Sequence, residues 1–591
     1  MLSYYILGSV NHVTSMDLTE AFIGNEGALM ISKCLKITKS LSSLCLTYNQ
    51  IGQDGAYHIS ESLKNNNSVT SISLKGNPIT IEGVKSVSQM LKQNSTILFL
   101  DLSGITMEGD AVQPLSDALN SNSTLTSLNL YFCKMGPEGA KLFSSCLKSN
   151  SSLKSLSLTS SNIDNDGFIS LFTSIQSNPK SNLETFNIAS NNINKDGFNS
   201  LLECLKAAPL SSLNLHGLKI GTENAANLFN HLKDNRTVTT VYLSYNNIES
   251  DVVNPISECL KVNQTLSTID LSDTNIGEKL SLITDALKLN STVTSLSLIR
   301  TSIGIKGAKL LSDYLKESNS IVHLNLLGNS IEWEGTQAIS ESLRINTSLR
   351  GLILTANSIG NKGLKAIADT LIVNSTLISL DLTINELSDA NLITGALRLN
   401  SSLSTLLLKS NEFSEGDGFV EMLKVNSYLT TLDLGGCYLD QSYITVLRNI
   451  LSDNLTKSLG IPVSYGQLPL TTGIPFKFNI ESGRLCGHLG HITISVNKTT
   501  NTLAMEPSSN SSISLLPSIE SVLSVGNLNN LEYSHTGLSL GLDLSSSIVL
   551  KAEESICRIN FKKNCFSWIT YSKMRKAHWQ LAMFDPATND T

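Results

Sequence analysis

The sequence predicts an α/β solenoid with parallel strands lining the inside and helices outside, followed by a small β-rich C-terminal domain. Three observations support this. A unit of about 26–30 residues recurs sixteen times, each copy opens with strand-like alternation, and each copy closes with helix-like periodicity. A strand followed by a helix, repeated, must place successive strands parallel. A fixed period of this length also indicates stacked units that bury their apolar faces against their neighbours.

The first half of each unit has the pattern LxxLxLxxNx(I/L), which is clearest in residues 41–51. Leu44 and Leu46 flank Cys45, so we expect a strand with its leucines on one face and the cysteine on the other. Three residues after the second leucine comes a position that we call the Asn slot. A buried side chain there is expected to bond the backbone as the chain leaves the strand. The slot holds Asn49, Asn77, Asn191, Asn246, Asn329, Asn357, Asn385 and Asn411, with Cys133, Ser161, Thr274, Thr301 and Cys437 in other repeats.

The second half of each unit predicts a helix with one apolar side. In residues 363–373, Leu364, Ile367, Ala368 and Leu371 follow the i, i+3, i+4, i+7 spacing of such a helix. A glycine-containing turn, IGNKG in this repeat, is expected between the strand and the helix.

An Asn-x-Ser/Thr sequence recurs at one position of the repeat, just after the helix. Asparagine tolerates the left-handed conformation that ends a helix, and a following Ser or Thr suits a turn. We therefore interpret these sequences as turn chemistry, with glycosylation as the alternative. They begin at Asn66, Asn94, Asn122, Asn150, Asn235, Asn263, Asn290, Asn346, Asn374 and Asn400.

Composition restricts the class of protein. Lys plus Arg number 43 against 50 for Asp plus Glu, and the net charge of −7 lacks the basic footprint of a nucleic-acid binder. Cys34, Cys146, Cys204 and Cys259 occupy one repeat position, which predicts small buried thiols in a reducing, cytoplasmic compartment. We expect no transmembrane segment, because the sequence has no run of 18 apolar residues. The start also lacks the basic region of a signal peptide.

On these residues the unit resembles the ribonuclease-inhibitor-type leucine-rich repeat. It is most similar to the repeat region of NOD-like receptors, whose units read much like LxSLxLxxNxIGxxGAxxLxxxLKxNxT. The resemblance covers residues 13–454 and implies a horseshoe with an inner parallel sheet and outer helices. The sequence lacks GxxxxGK[ST], so the nucleotide-binding activity of those receptors is not implied. It is neither cysteine-rich nor strongly acidic, which disfavours ribonuclease inhibition.

We divide the chain into an N-terminal edge (1–12), sixteen leucine-rich repeats (13–458) and a C-terminal β-rich domain of no recognised family (459–591). The C-terminal domain is expected to contain strands at HITISV (491–496), SIVLKA (547–552) and ICRINF (556–561), because short alternating runs lie between turn residues there.

Two features of the C-terminal region resemble ligand sites. Cys486, His488 and His491 lie close together but have no matching second pair, so we expect no metal and no cofactor. The stretch Arg558–Lys576 is basic with interleaved aromatics. We interpret it as a solvated face, with binding of nucleic acid or an anionic membrane as the less favoured alternative. No nucleophile–base arrangement points to catalysis.

Candidate binding residues lie on the predicted concave surface, where most strand residues outside the leucine positions are Ser or Thr. Aromatic residues and arginine dominate binding hot spots. We expect Tyr242, Tyr245, Asp270, Asp273 and Arg300 to be neighbours, because they fall in three consecutive repeats, and Ser244 to be an exposed, silent position. The full candidate set is Tyr131, Phe132, His216, Tyr242, Tyr245, Asp270, Asp273, Arg300 and His323.

These observations predict a non-catalytic interaction scaffold or sensor module that binds a protein partner on the concave surface. One alternative is a regulator of a small GTPase, since Ran GTPase-activating protein resembles this repeat type. Such proteins usually carry a strongly acidic tail, whereas this chain ends basic. The other alternative is an enzyme whose chemistry lies in the C-terminal domain.

Overall fold

The computed structural model describes residues 14–459 and ten strands between residues 478 and 582. It divides into two compact units. The first contains Met1–Thr106, Asp117–Leu128 and Ser464–Thr591, and the second contains Met107–Ser116 and Asn129–Val463. The expected N-terminal edge, residues 1–12, lies outside the described residues.

Sixteen three-residue strands form one sheet in which the strand order follows the sequence order. Every pairing recorded between them is parallel, as between β9 and β10, where Val241 lies beside Ile269. This order and the alternating helices confirm the predicted α/β repeat solenoid. The strands are β1 Ser15–Asp17, β2 Ser43–Cys45, β3 Ser71–Ser73, β4 Phe99–Asp101, β5 Ser127–Asn129, β6 Ser155–Ser157, β7 Thr185–Asn187, β8 Ser212–Asn214, β9 Thr240–Tyr242, β10 Thr268–Asp270, β11 Ser295–Ser297, β12 His323–Asn325, β13 Gly351–Ile353, β14 Ser379–Asp381, β15 Thr405–Leu407 and β16 Thr431–Asp433.

The leucine positions form the core. The middle residue of every strand from β2 to β16 is buried, and Leu44, Leu128 and Leu352 are at most 2 % exposed. Cys45 is half-buried on the opposite side, as the alternation predicts. We call that opposite side, which carries the first and third residues of each strand, the exposed sheet face.

A helix follows each strand. The helices are α1 Gly24–Leu35, α2 Gln53–Leu63, α3 Ile81–Gln93, α4 Gln113–Ser121, α5 Gly136–Leu147, α6 Asn165–Gln176, α7 Lys195–Cys204, α8 Gly221–Leu232, α9 Val253–Val262, α10 Leu280–Leu289, α11 Gly304–Glu317, α12 Glu332–Leu343, α13 Gly360–Leu371, α14 Ala390–Leu397, α15 Asp417–Leu423 and α16 Gln441–Leu459. The apolar residues of α13 are buried as predicted. The helix begins at Gly360, however, so the expected IGNKG turn is largely its first turn. Position 363 requires glycine, because a Cβ there would lie only 2.4 Å from the side chain of Ile359 and would clash with it.

The Asn slot behaves as expected. The Asn49 amide donates to the carbonyl oxygens of Leu18 at 2.7 Å and Thr47 at 3.1 Å, and its Oδ1 accepts from the Ala21 amide at 2.9 Å. One buried side chain thus satisfies backbone groups of its own turn and of the preceding repeat. Where the slot holds Thr301, the hydroxyl makes only part of this pattern by donating to the Leu298 carbonyl at 2.8 Å.

The asparagines of the Asn-x-Ser/Thr sequences also hold repeats together. Asn374 Nδ2 donates to the Leu343 carbonyl at 2.7 Å, and its Oδ1 accepts from the Leu377 amide at 2.8 Å. This geometry supports the turn interpretation, because the nitrogen that would carry a glycan is buried and bonded. The expected left-handed backbone is wrong: Asn94 and Asn263 have φ near −75° with extended ψ. The side-chain bonds, not a left-handed φ, reverse the chain there.

The C-terminal region contains two antiparallel sheets, with orders β17-β18-β19-β20-β22-β21 and β23-β24-β25-β26. The three expected strands coincide with β19, β23 and β24. Their side chains, and those of Cys486, His488, His491 and the Arg558–Lys576 stretch, lie outside the described residues. The strands are β17 Phe478–Glu481, β18 Arg484–Leu489, β19 Ile492–Asn497, β20 Thr502–Pro507, β21 Leu528–Ser534, β22 Gly537–Leu542, β23 Ser547–Ala552, β24 Ser555–Lys562, β25 Cys565–Ser572 and β26 Arg575–Ala582.

Cys34, Cys146, Cys204 and Cys259 are buried, as predicted from their shared repeat position. The last three are free thiols, and burial raises the pKa of each to about 12 from the usual 9.0. Because the thiolate is the reactive form, these groups should be inert in the folded protein.

We therefore expect thiol-labelling reagents at pH 8 to modify Cys146, Cys204 and Cys259 slowly in the native protein and rapidly after unfolding. Mass spectrometry of labelled peptides measures this. Because the folded-state pKa is raised, the unfolded chain loses the thiol proton first between about pH 9 and 12, so stability should fall as the pH rises through that window. Cys204→Ala should remove its share of that fall, and fast native labelling of all three thiols would contradict their burial.

Candidate functional site

One position of each repeat projects its side chain from the exposed sheet face and has a left-handed backbone conformation. It is the residue directly before the Asn slot, and we call it the turn slot. Its φ is positive throughout the described repeats from β2 onward. Glycine, which adopts this conformation without steric cost, fills the slot at Gly76, Gly104, Gly217, Gly328 and Gly436.

Bulky residues occupy the turn slot in the middle repeats. Phe132, Tyr245, Asp273 and Arg300 have φ between 51° and 59°. An L-residue with a Cβ pays about 1–2 kcal/mol in this conformation relative to its usual backbone regions. Non-glycine residues persist in such conformations only where surrounding structure imposes them. The repeat imposes it generally, because Ser160, Ala356 and Ser410 adopt it in other turn slots.

Four side chains form a contiguous group that we call the Tyr245 cluster: His216, Tyr245, Asp273 and Arg300. Arg300 makes a two-pronged ion pair with Asp273, from Nε to Oδ1 at 2.7 Å and from Nη2 to Oδ2 at 3.0 Å. Its Nη2 also donates to the Tyr245 hydroxyl, and its guanidinium carbon lies 5.3 Å from the centre of the Tyr245 ring. Three consecutive turn slots therefore hold one connected structure.

His216 extends the cluster into the preceding repeat. Its ring meets the Tyr245 ring edge-on, with centroids 5.0 Å apart and an interplanar angle of 69°. Its Nδ1 lies 2.7 Å from Ser244 Oγ. The expectation that Ser244 is exposed is wrong: Ser244 is buried, and its hydroxyl lies against the His216 ring.

Tyr242 and Asp270 lie beside the cluster. They are register partners as the last residues of β9 and β10. The Asp270 carboxylate accepts hydrogen bonds from the amide, at 3.0 Å, and the hydroxyl of Ser272. Ser272 Oγ lies 2.9 Å from Ser297 Oγ in the next repeat. Asp270 is therefore held by its own turn, whereas the Tyr242 ring is exposed.

The other three predicted residues do not join the cluster. Tyr131 and Phe132 form an exposed pair with ring centroids 6.1 Å apart, and Lys134 lies 5.9 Å above the Phe132 ring. His323 lies on β12 over Gly351, where a Cβ would come within 2.6 Å of its Nδ1. The nine predicted residues thus form a central group, a separate aromatic pair and a lone histidine.

The ion pair of the cluster affects the arrangement of its side chains more than the stability of the fold. The hydrogen bond to Asp273, with a weaker contribution from its charge, raises the pKa of Arg300 above its ordinary value, so the guanidinium stays charged. The Arg300 side chain remains 46 % exposed, and exposed ion pairs contribute only about 0–1 kcal/mol. The main effect of these contacts is to favour one arrangement of the Tyr245 ring and the guanidinium.

The sequence analysis missed two exposed apolar residues in other turn slots, Tyr48 and Ile384. The Tyr48 ring lies against Gly76, where a Cβ would come within 2.1 Å of a ring carbon, and Lys75 lies 5.9 Å from the ring centre. The sequence could have identified both residues, because Tyr48 and Ile384 each directly precede an asparagine of the Asn slot. The two residues lie outside the middle repeats, on whose strands the predicted binding residues were placed.

Within the described residues, no group of three or more His, Cys, Asp or Glu side chains is arranged to hold a metal ion. Among the helices that the structure describes, none is long and apolar enough to cross a membrane.

Comparison with known proteins identifies the repeat. The family described as Leucine Rich repeat matches residues 65–88, 121–144, 149–172 and 346–368. The chain carries leucine-rich repeats. No curated protein matches it. Among the solved structures that match is "Leiomodin-1 Actin-Binding Site 2 (ABS2)", with 21 % sequence identity and a TM-score of 0.24. The match covers 26 % of this chain and 92 % of that one.

Proposed function

We propose that this leucine-rich-repeat chain is a non-catalytic interaction scaffold that binds a protein partner on its exposed sheet face, with the Tyr245 cluster at the centre of the contact. The observation that carries the proposal is the cluster itself. Tyr245 is 53 % exposed, yet Arg300 and His216 hold it from both sides. An exposed aromatic ring that is already ordered is the kind of residue that dominates protein interfaces.

The order of the cluster lowers the entropic cost of binding. Immobilising a rotamer-rich side chain at an interface costs about 0.5–1.5 kcal/mol, and the mutual contacts of Arg300 and Tyr245 already favour one arrangement in the free protein. Tyr245 and Tyr242 would supply contact area, and the Arg300–Asp273 pair would set orientation through its charges. The neighbouring Ser and Thr residues have short side chains, so the side chains of the Tyr245 cluster would project beyond them.

The remaining candidates would contribute at the periphery. Tyr131, Phe132 and Lys134 would form a second aromatic and basic contact for a partner long enough to reach it, and His323 would provide a polar contact beyond Arg300. We propose a cytoplasmic location on the support of the buried free thiols Cys146, Cys204 and Cys259, which suit a reducing compartment.

Replacing Tyr245 with glycine is the sharpest test of the site. Glycine occupies the same slot at Gly217 and Gly328, so the backbone is compatible and stability should be unchanged or slightly higher. Affinity for a partner captured from cell lysate by the full chain should fall by about 1–2 kcal/mol or more, as for a hot-spot residue. Isothermal titration calorimetry with that partner measures the loss. Arg300→Gly should have a similar effect.

Tyr57 provides a matched control, because it is 50 % exposed but lies on helix α2. Tyr57→Ala should leave the affinity unchanged. If Tyr245→Gly, Arg300→Gly and the unmodified chain bind the partner equally, the contact lies elsewhere and the proposal is wrong. If the partner is a small GTPase and the chain accelerates its GTP hydrolysis, the regulator hypothesis replaces that of a passive scaffold.

A further inference from the structure

The unused hydrogen-bond groups of the Tyr245 cluster indicate which chemical group a partner brings to it. A guanidinium has five N–H groups. In Arg300, Nε donates to Asp273 Oδ1 at 2.7 Å, and Nη2 donates to Asp273 Oδ2 at 3.0 Å and to the Tyr245 hydroxyl. Within the part of the chain that the structure describes, the two N–H groups of Nη1 have no acceptor.

A second unused donor lies beside the first. The Tyr245 hydroxyl accepts from Arg300 Nη2, so its own proton remains available for donation. Asp273 takes Nε and the hydrogen on the Nε side of Nη2, which leaves the other hydrogen of Nη2, on the Nη1 side, for the hydroxyl. Nη1 and the hydroxyl are therefore neighbours, and we call this pair the donor edge.

The donor edge is the accessible side of the cluster. The side chain of Arg300 is 46 % exposed, whereas that of Asp273 is only 16 % exposed. Tyr245 is more than half exposed. The charged acceptor of the cluster is thus mostly covered, while its unused donors face solvent. A partner that covers these donors must supply an acceptor, because otherwise they lose their hydrogen bonds to water.

The charges around the donor edge do not select a charged partner group. From the first strand residue to the turn slot, the repeats of β8 to β12 contain three charged side chains, Asp270, Asp273 and Arg300, with a formal net charge of −1. Lys219, two residues beyond Gly217, brings that sum to zero. A carboxylate from the partner would share one positive charge with Asp273, which already neutralises it. A cationic group would bring further donors to an edge that needs an acceptor.

We propose that a main-chain carbonyl oxygen of the partner binds the donor edge, an inference that rests on the proposed function. One carbonyl oxygen has two lone pairs and can accept from Arg300 Nη1 and the Tyr245 hydroxyl together. In a trans peptide the N–H points away from the oxygen, so it brings no donor toward the guanidinium. The side-chain amide of Asn or Gln carries an N–H on the same side as its oxygen, and that group would face the second N–H of Nη1. The partner therefore presents a loop or strand edge with an unpaired carbonyl.

Tyr245→Phe separates this inference from the proposed function, because it keeps the ring and removes only the hydroxyl. The probe is the protein that crosslinks to a benzoylphenylalanine at position 245 of the full chain, purified and titrated by calorimetry against the chain and its variants. Tyr245→Phe should weaken its affinity about threefold to tenfold, the range of one neutral hydrogen bond. Tyr57→Phe is the matched control on helix α2 and should leave the affinity unchanged.

Changes in the partner identify the acceptor. Mass spectrometry of the crosslinked peptide locates the segment that contacts position 245. Replacing its Asp and Glu residues with Asn and Gln, or in a second variant its Asn and Gln residues with Ala, should change the affinity by less than about twofold, because the main chain is kept. A tenfold loss from the first variant would show a carboxylate acceptor, and the same loss from the second would show a side-chain amide. Either result overturns the inference.

The two proposals fail in different ways. If Tyr245→Phe binds the partner as well as the unmodified chain while Tyr245→Gly binds it more weakly, the ring makes the contact and the carbonyl inference is wrong. If Tyr245→Gly also binds equally, or position 245 yields no crosslinked protein, the proposed function is wrong and this inference falls with it.

Discussion

Asn357→Ala is expected to lower the free energy of unfolding by about 3–5 kcal/mol. Asn357 is fully buried, and its Nδ2 donates to three backbone carbonyls, the nearest that of Leu326 at 2.9 Å. Its Oδ1 accepts from two backbone amides, the nearer that of Asn329 at 2.9 Å. Alanine leaves several of these buried groups without a partner, and each costs about 1–3 kcal/mol. Urea denaturation followed by circular dichroism measures the change.

Asn357→Thr separates the hydrogen bonds from the loss of volume. Thr301 occupies the same slot and bonds a carbonyl of its own turn, so threonine should recover part of the stability. A loss below about 0.5 kcal/mol for Asn357→Ala would contradict the role assigned to the Asn slot, since a change that small is typical of a surface substitution.

Leu298→Ala should cost about 2–5 kcal/mol, because Leu298 is fully buried and truncating a buried leucine loses apolar contact and leaves a cavity. Leu289→Ala is the matched control. Leu289 is 67 % exposed, so this variant should leave the free energy of unfolding nearly unchanged. Thermal or urea unfolding at low protein concentration measures both.

The loss in Leu298→Ala should also be local, because repeat arrays are stabilised by each repeat and its nearest neighbours. Hydrogen exchange should accelerate in β10–β12 and much less in β15 and β16. Equal acceleration in all of these strands would show that the repeats unfold as one cooperative block, contrary to this expectation.

The repeated elements were predictable because the apolar residues of each unit show two periods, the alternation of a strand and then the spacing of a helix. Alternation at Leu44 and Leu46 gives the strand, and the spacing of Leu364, Ile367 and Leu371 gives the helix and its buried side. The Asn slot followed from the need to satisfy buried backbone groups. The start of the helix was not predicted correctly. Glycine at position 360 is typical of a turn, but it lies in the first turn of the helix.

The site was only partly predictable for a different reason. Repeat spacing placed Tyr245, Asp273 and Arg300 in neighbouring repeats, and the structure brings them into contact. Pattern alone did not reveal that the turn slot is left-handed, so it could not give the directions of the side chains. Ser244 was consequently assigned to the surface, although it is buried under His216, and His323 was grouped with residues it does not touch.

The turn slot relates the strain of the backbone to the proposed binding site. Where the protein needs only a turn, as at Gly217 and Gly328, glycine gives the required backbone without strain. Where Tyr245, Asp273 and Arg300 stand instead, the chain accepts an unfavourable backbone and exposes a fixed aromatic and ionic surface. Ser160, Ala356 and Ser410 adopt the same backbone in other turn slots. The three cluster positions are therefore distinguished by their bulky and charged side chains, not by the strain alone.

Photo-crosslinking tests the central claim most directly. A benzoylphenylalanine placed at Tyr245 in the full chain, irradiated in cell extract, should give a discrete adduct with one protein partner. The same group at Tyr57, which is equally exposed but lies on helix α2, should give no such adduct. Absence of an adduct at Tyr245, or the same adduct from both positions, would contradict a binding site on the exposed sheet face.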